Sequence, residues 1–197
     1  MLLASVLAAG CSGGDPGEPD AAPLVRCPLG DASSPVELEI VHLDREYNVI
    51  ATVENAEVPL QAPPQGGWIV LLGTRATNLD GCNLTLTTSF RDIANNDVIK
   101  VDRRPTDLMP TGDGWGVTTT QAFGNLPICP QVTSLRDLHG QPYIVTVELE
   151  DLDGKRASKD VTIVPVCPVG VGLCDCECDK DYVLGNACEP PAFHAER

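Results

Sequence analysis

Between residues 36 and 166 the chain repeatedly alternates apolar and polar residues at period two, and this pattern restricts the fold more than any other feature. Residues 36–40 read VELEI, and residues 82–90 read CNLTLTTSF. Alternation of this kind places one face of a strand in a core and the other in solvent. We find no segment with the 3.6-residue period of an amphipathic helix. The sequence therefore predicts an all-β protein.

Eight strands are expected between turns rich in Gly, Asn and Asp. The predicted strands are residues 36–40, 47–53, 68–77, 82–90, 98–102, 115–123, 143–150 and 161–166. Strands at this spacing are typical of an antiparallel β-sandwich. We expect one such domain over residues 35–166, which is long enough to bury an independent core.

The last predicted hairpin, PYIVTVELEDLDGKRASKDVTIVPV, resembles the final two strands of immunoglobulin-like and PKD-like extracellular domains. Tyr143 stands near the entry of the penultimate strand. The resemblance implies an antiparallel immunoglobulin-like sandwich. Such folds host adhesion, carbohydrate binding and plain spacers, so the fold alone assigns no function.

The chain begins MLLASVLAAGC, and residues 7–11 (LAAGC) resemble the lipobox of a bacterial lipoprotein signal peptide. The resemblance implies that residues 1–10 are removed and that Cys11 carries diacylglycerol on its thiol and a fatty acid such as palmitate on its amine. No Lys or Arg precedes the apolar run, so we expect the true start codon to lie upstream. Residues 11–34 have the Gly, Pro and Asp content of a flexible tether. The resemblance also implies a location: an Asp after the lipidated cysteine would retain the lipoprotein at the inner membrane, and because residue 12 is Ser we expect the outer membrane.

Over most of residues 35–166 the chain also resembles uncharacterised exported lipoproteins of myxobacterial type. The most recognisable motif is PQGGW at residues 64–68. This resemblance implies a lipid-anchored β domain in the cell envelope, facing the periplasm or the cell surface. It supplies no known activity.

Nine cysteines constrain the chain further, and assigning Cys11 to lipid leaves an even number. An exported protein meets an oxidising compartment, so we expect four disulfides. The candidates are Cys27, Cys82, Cys129, Cys167, Cys174, Cys176, Cys178 and Cys188. We expect Cys82 to pair with Cys129, because these two lie inside the predicted sandwich, and Cys27 to pair with Cys167 across its ends.

The last four cysteines are then expected to pair largely among themselves, in a stapled tail over residues 167–197. The CxCxC run, the following aromatic residue and Cys188 resemble the second half of an EGF-like module.

A metal site is the alternative use of this tail. In an extended segment, Cys174, Cys176 and Cys178 would share one face, and the neighbouring carboxylates would share the other. Clustered thiolates suit Zn(II) or Cu(I), whereas carboxylates suit Ca(II). The spacing matches neither a zinc-finger signature nor a calcium loop. We therefore expect disulfides here, with no metal site and no cofactor.

Few residues point to other chemistry. His42, His139 and His194 are the only histidines, and none lies in a nucleophile or metal motif, so no enzymatic activity is expected. The net charge of -15 disfavours nucleic acid as a partner.

Two groups of residues keep alternatives open. Asp113, Asp151 and Asp153 are expected to cap their own turns, with calcium at a sandwich end as the alternative. Trp68 and Trp115 each begin an apolar run, so we expect them to pack, with a sugar platform as the alternative.

Gly66 and Gly67 predict a tight turn or bulge, and a ligand-facing loop is the alternative.

These observations predict a lipid-anchored binding or structural module without enzymatic activity. Its expected partners are the membrane, through the N-terminal lipid, and an unidentified envelope or extracellular protein or glycan. A metal-binding or carbohydrate-binding lipoprotein is the alternative.

Overall fold

The computed structural model describes residues 25–130 and 138–188. The predicted signal peptide, Cys11 and His194 lie outside the described residues. The described part is mostly β-strand, arranged largely in antiparallel sheets, as the alternating pattern predicts. In this part of the chain, no helix has both the length and the apolar character that a membrane span requires.

Thirteen strands, one 3-10 turn and one short helix occur in the described residues. In chain order they are β1 (Pro28–Leu29), β2 (Glu37–Leu43), β3 (Val49–Ala51), β4 (Ala56–Pro59), β5 (Trp68–Thr77), β6 (Leu79–Asp80), β7 (Leu84–Arg91), β8 (Val98–Thr106), β9 (Leu108–Pro110), β10 (Gly116–Thr118), the 3-10 turn Thr120–Ala122, β11 (Gly124–Cys129), β12 (Tyr143–Glu150), β13 (Arg156–Val166) and α1 (Gly172–Glu177).

The strands form two main sheets and one small pair. The first sheet has the order β3-β2-β5-β10-β9, and β11 also pairs with β5. The second has the order β4-β13-β12-β7-β8, and β1 pairs with β6. All pairs are antiparallel except β4 with β13, which run parallel.

Both main sheets contribute to one hydrophobic core. Val70 and Leu72 of β5 belong to the same buried cluster as Leu86 of β7 and Val147 of β12. Alternate residues of β7 and β12 are buried, which is the pattern that predicted half-buried strands. At one end of the core, the rings of Phe90 and Tyr143 meet edge to face, with centroids 5.9 Å apart.

The predicted strand over residues 115–123 is observed only in its first half. β10 ends at Thr118, the chain makes a 3-10 turn, and β11 begins at Gly124. A Cβ on Gly124 would lie 2.3 Å from Thr88 Oγ1, so this strand needs glycine where it passes the opposite sheet. The sequence prediction missed β11 because Gly124 and Pro127 both disfavour a strand.

All eight described cysteines form disulfides, but the two predicted pairs are wrong. The observed bonds are Cys27–Cys82, Cys129–Cys178, Cys167–Cys174 and Cys176–Cys188.

Strand pairing explains the correction. Cys129 lies opposite Trp68, the first residue of β5, whereas Cys82 follows β6, beyond the last residue of β5. Ten residues of strand span roughly 30 Å, which is too far for a disulfide. Cys27 and Cys167 are separated in the same way. Cys27 lies beside β6. Cys167 directly follows Val166, the last residue of β13, which pairs with Pro59 of β4.

The predicted tether extends too far into the domain. The Cys27–Cys82 disulfide and the pairing of β1 with β6 attach the chain from Cys27 onward, although the tether was expected to continue to residue 34. The backbone N–H of Cys27 also donates to Asp80 Oδ1 at 2.8 Å.

The tail differs from the extended segment on which the metal alternative for CxCxC depends. Gly172–Glu177 is a short helix, so Cys174 and Cys178 approach each other at a spacing of four residues while Cys176 turns away. The Sγ atoms of Cys174 and Cys178 are 3.7 Å apart and both residues are buried. Only Cys176–Cys188 joins two of the last four cysteines, so the prediction that these four pair largely among themselves is wrong.

Candidate functional site

A cleft of about 660 Å³ opens where the edges of the two main sheets meet the Cys-rich tail. We call it the tail cleft. Its polar and aromatic lining comes from β8, β11, the loop before β5 and the tail, and consists of Gln65, Trp68, Asp102, Arg104, Asn125, Glu177 and Tyr182. Gly66, Gly67, three prolines, Ile69, Cys129 and Leu184 complete the wall.

β8 places two charged side chains in this cleft because it is the edge strand of its sheet. Asp102 and Arg104 are half-buried and share one face, whereas Val101 and Arg103 are exposed on the other. Arg104 Nε lies 2.6 Å from Asp102 Oδ2. The same carboxylate oxygen accepts the backbone N–H of Asn125 at 3.0 Å. Asp102 therefore ties the edge of one sheet to the edge of the other.

The Gly66-Gly67 loop is a tight turn, as predicted, and it borders the cleft. Both have positive φ, at 89° and 75°, which glycine adopts without strain. The N–H of Gly66 donates to the carbonyl of Pro63 at 3.0 Å and closes the turn. A Cβ on Gly67 would lie 3.4 Å from the Cys129 carbonyl, so the loop packs closely on the end of β11.

Trp68 is packed, as expected, and one face of Trp115 is covered by a guanidinium. Trp68 is only 5% exposed, and its indole N–H donates to Glu177 Oε2 at 2.7 Å. The guanidinium of Arg75 lies 4.4 Å from the ring centroid of Trp115. Arg75 also pairs with Glu39 and Asp113, which holds it over that ring.

The aromatic residue of the cleft is instead Tyr182, which the sequence interpretation did not select. Its hydroxyl donates to the carbonyl of Asn186 at 3.1 Å within the tail, so the hydroxyl is held there and the half-buried ring lines the cleft. The feature of the sequence that could have identified Tyr182 was an aromatic residue between closely spaced cysteines. A tail stapled by disulfides holds such a ring rigidly.

Asp113 and Asp151 cap their own loops, as predicted, whereas Asp153 forms an ion pair instead. Asp151 Oδ1 accepts the backbone N–H groups of Asp153 and Lys155, both at 2.9 Å. Asp113 accepts from Thr111 and Trp115, and these hydrogen bonds lower the pKa of its carboxyl. Asp153 pairs with Arg26 at 2.7 Å. The three carboxylates are thus engaged separately in turns and ion pairs, and we see no shared calcium site among them.

Two groups of described residues have the proximity of metal ligands. The ligand atoms of Cys167, Cys174 and Cys178 lie within 4.8 Å of one another, as do those of Cys27, Asp80 and Cys82. Every cysteine in both groups is bonded in a disulfide. A cysteine binds zinc or copper as a thiolate, so the oxidised chain offers no thiolate set at either place.

His42 lies in β2 and is 5% exposed, and its Nδ1 is 3.0 Å from Thr52 Oγ1. Burial lowers the pKa of this imidazole, and the weaker opposing effect comes from Asp44. His139 lies in a turn near β12. The structure does not bring these two histidines into the tail cleft.

No protein-family model matches the chain, and no curated protein matches it significantly. Function must therefore be argued from the tail cleft, the disulfides and the N-terminal sequence.

Proposed function

We propose that this chain is an exported lipoprotein, anchored through Cys11, that acts as a non-enzymatic binding module of the cell envelope. Its binding domain would be an immunoglobulin-like β-sandwich to which the Cys-rich tail is stapled. The observation that carries the proposal is the cleft formed jointly by the sheet edges and the tail. An outer-membrane location facing the periplasm or the cell surface is part of the proposal.

The disulfides support export. Four bonds join eight cysteines, and two of them close loops with sequence separations of 55 and 49 residues. Disulfides persist in oxidising compartments and are rare in the reducing cytosol. A chain with this pattern is suited to the periplasm or the cell surface.

The cysteine count supports lipidation. The eight described cysteines pair with one another, which leaves none of them as a disulfide partner for Cys11. Cys11 directly follows the small residues Ala8, Ala9 and Gly10. A cysteine directly after such a run is what a lipobox requires. Several acyl chains together then anchor a protein stably.

The sandwich assignment is supported by the shared core of the two main sheets and by the β12–β13 hairpin. β12 pairs with β7 on one side and with β13 on the other, so it is central in its sheet. Tyr143, at the start of β12, is buried against Phe90.

Labelling with an alkyne analogue of palmitate tests the anchor. The full chain, with a Lys-rich extension before Met1, is expressed in a bacterium that processes lipoproteins. We expect the label on the protein in the membrane fraction, and its loss together with release of the protein in Cys11→Ser. Export of unlabelled, soluble wild-type protein would contradict the proposal. Cys27→Ser with Cys82→Ser is the matched control, because it removes thiols without touching Cys11.

Carbohydrate binding is the second candidate function, and the lining of the tail cleft favours it. The two tryptophans do not supply the platform, but Tyr182 and the polar groups of β8 and the tail occupy one cleft.

A further inference from the structure

We infer that the tail cleft binds a short, uncharged oligosaccharide. The inference names the ligand class of the binding module proposed above and rests on that proposal. The charge of the cleft, its hydrogen-bonding groups and the strand edges that border it support this ligand class.

The charges of the cleft favour an uncharged ligand. Asp102 and Arg104 form an ion pair at 2.6 Å, so each largely neutralises the other. Glu177 adds a further negative charge, and the whole chain carries -15, which disfavours phosphates, sulfates and other anions. A cation would have to displace the guanidinium of Arg104 from Asp102. A ligand that forms hydrogen bonds without net charge fits this arrangement best.

The groups in the cleft match the surface of a sugar. The Asp102–Arg104 pair places an acceptor beside a donor on one strand face, as two neighbouring sugar hydroxyls require. Glu177 uses Oε2 for the indole of Trp68, and a carboxylate has further acceptor capacity. The ring of Tyr182 supplies an aromatic surface for the apolar face of a sugar ring. The volume of about 660 Å³ lies within the usual range of small-molecule sites, roughly 300–1,000 Å³.

The strand edges at the cleft are unsuited to an extended peptide, which is the main competing ligand. A peptide would add to an edge through free backbone N–H groups. On β11 the N–H of Asn125 is already bonded to Asp102, and Pro127, two residues along, has no N–H. On β8, Pro105 also lacks a backbone N–H. Side-chain recognition of a compact polar ligand is therefore favoured over strand addition.

A glycan array tests the inference, with the lipidated full-length protein in a sugar-free detergent. The array carries neutral oligosaccharides of glucose, galactose, mannose and N-acetylglucosamine beside sialylated and sulfated ones. We expect binding to neutral members, followed by calorimetric titration with the neutral oligosaccharide that gives the highest signal.

Two matched pairs of variants place the ligand in the cleft. Arg104→Ala should weaken binding about tenfold or more, because it removes a charged hydrogen-bond donor, whereas Arg103→Ala, one residue away on the exposed face, should leave the Kd unchanged. Tyr182→Ala should weaken binding comparably, whereas Tyr182→Phe keeps the ring and should retain binding.

Several outcomes would overturn the inference while leaving the anchor proposal intact. They are the absence of any neutral glycan signal from protein whose circular dichroism is native, binding only to anionic glycans, and equal weakening by Arg103→Ala and Arg104→Ala. Capture of uncharged peptides from a parallel peptide array, without glycan binding, would assign the cleft to the competing ligand. Failure of palmitate labelling would overturn the anchor alone.

Discussion

The indole N–H of Trp68 donates a 2.7 Å hydrogen bond to Glu177 Oε2, across 109 residues of chain. Trp68 is the first residue of β5, at the centre of the first sheet, and Glu177 is the last residue of α1 in the tail. Beside them, Cys129 at the end of β11 is bonded to Cys178. The tail is therefore held against the domain by one disulfide and by one hydrogen bond to a carboxylate.

Removing this hydrogen bond should destabilise the domain. Glu177→Ala leaves the nearly buried indole N–H of Trp68 without its acceptor, and we expect the free energy of unfolding to fall by about 1–3 kcal/mol. Glu177→Gln keeps an uncharged acceptor and should cost less. Guanidinium unfolding followed by tryptophan fluorescence measures both. Asp175→Ala, at an exposed position of the same helix, is the control, and an equal loss there would contradict the assignment.

Disulfide mapping should recover the observed pairs rather than the pairs expected from sequence. The denatured, unreduced protein should show no free thiol among residues 27–188 and should gain eight hydrogens on reduction. Peptide mass spectrometry should find Cys27 linked to Cys82 and Cys129 linked to Cys178. A peptide joining Cys82 to Cys129 would contradict the structure.

Breaking the Cys129–Cys178 bond should release the tail selectively. Replacing both cysteines by Ser should cost about 4 kcal/mol in the chain-entropy model and should expose the tail to limited proteolysis. The Cys27–Cys82 disulfide closes a loop of similar length, so replacing both of its cysteines should cost a similar amount but leave the tail protected. Equal proteolysis of both variants would show that the tail does not depend on its own staple.

Gly124→Ala should be destabilising by about 1–3 kcal/mol, because the new methyl would lie 2.3 Å from Thr88 Oγ1. Thr88 is fully buried, and its hydroxyl has no hydrogen-bond partner in the described structure, so Thr88→Ala removes the obstacle without breaking a bond. The double variant should regain part of the stability in a double-mutant cycle. Strictly additive losses would mean that the two residues do not contact each other.

Stability should fall as the pH decreases through the ordinary histidine pKa of 6.5, because of His42. Burial lowers its pKa in the folded state, so below pH 6.5 the unfolded chain binds a proton that the folded chain resists. The stabilisation is therefore present above pH 6.5 and is lost towards the lowered pKa. In His42→Gln the thermal unfolding temperature should depend less on pH between 7 and 5. An unchanged pH profile would show that another group titrates.

A separate loss of stability is expected in stronger acid. The pKa values of Asp44, Asp80 and Asp113 lie below the ordinary 3.8. Hydrogen bonds stabilise the charged forms of Asp44 and Asp113, and at Asp80 burial raises the pKa but is outweighed by the hydrogen bonds it accepts and by Arg26. Their contribution is present above the ordinary pKa and disappears as the pH falls through the lowered values. His42→Gln should leave this acid limb unchanged.

Local pattern determined much of the fold. Alternation identified β7 and β12 close to their observed bounds, because a strand with one face in the core must repeat at period two. A continuous apolar run identified β5, which is buried along most of its length. The roles of Asp113 and Asp151 as turn caps were also predictable, because a carboxylate reaches the N–H groups of its own turn. The same reasoning missed β11, where glycine and proline serve contacts with other parts of the fold.

The tail cleft was beyond prediction because its parts are far apart in sequence. Asp102 and Arg104 face the cleft only because β8 is an edge strand, and Tyr182 reaches it only because Cys178 is bonded to Cys129. The sequence by itself determined an all-β chain with an even set of cysteines besides Cys11, because periodicity and composition act locally. The tertiary structure alone decided which cysteines pair and which polar groups converge, since strand order sets the distances between residues that the chain keeps apart.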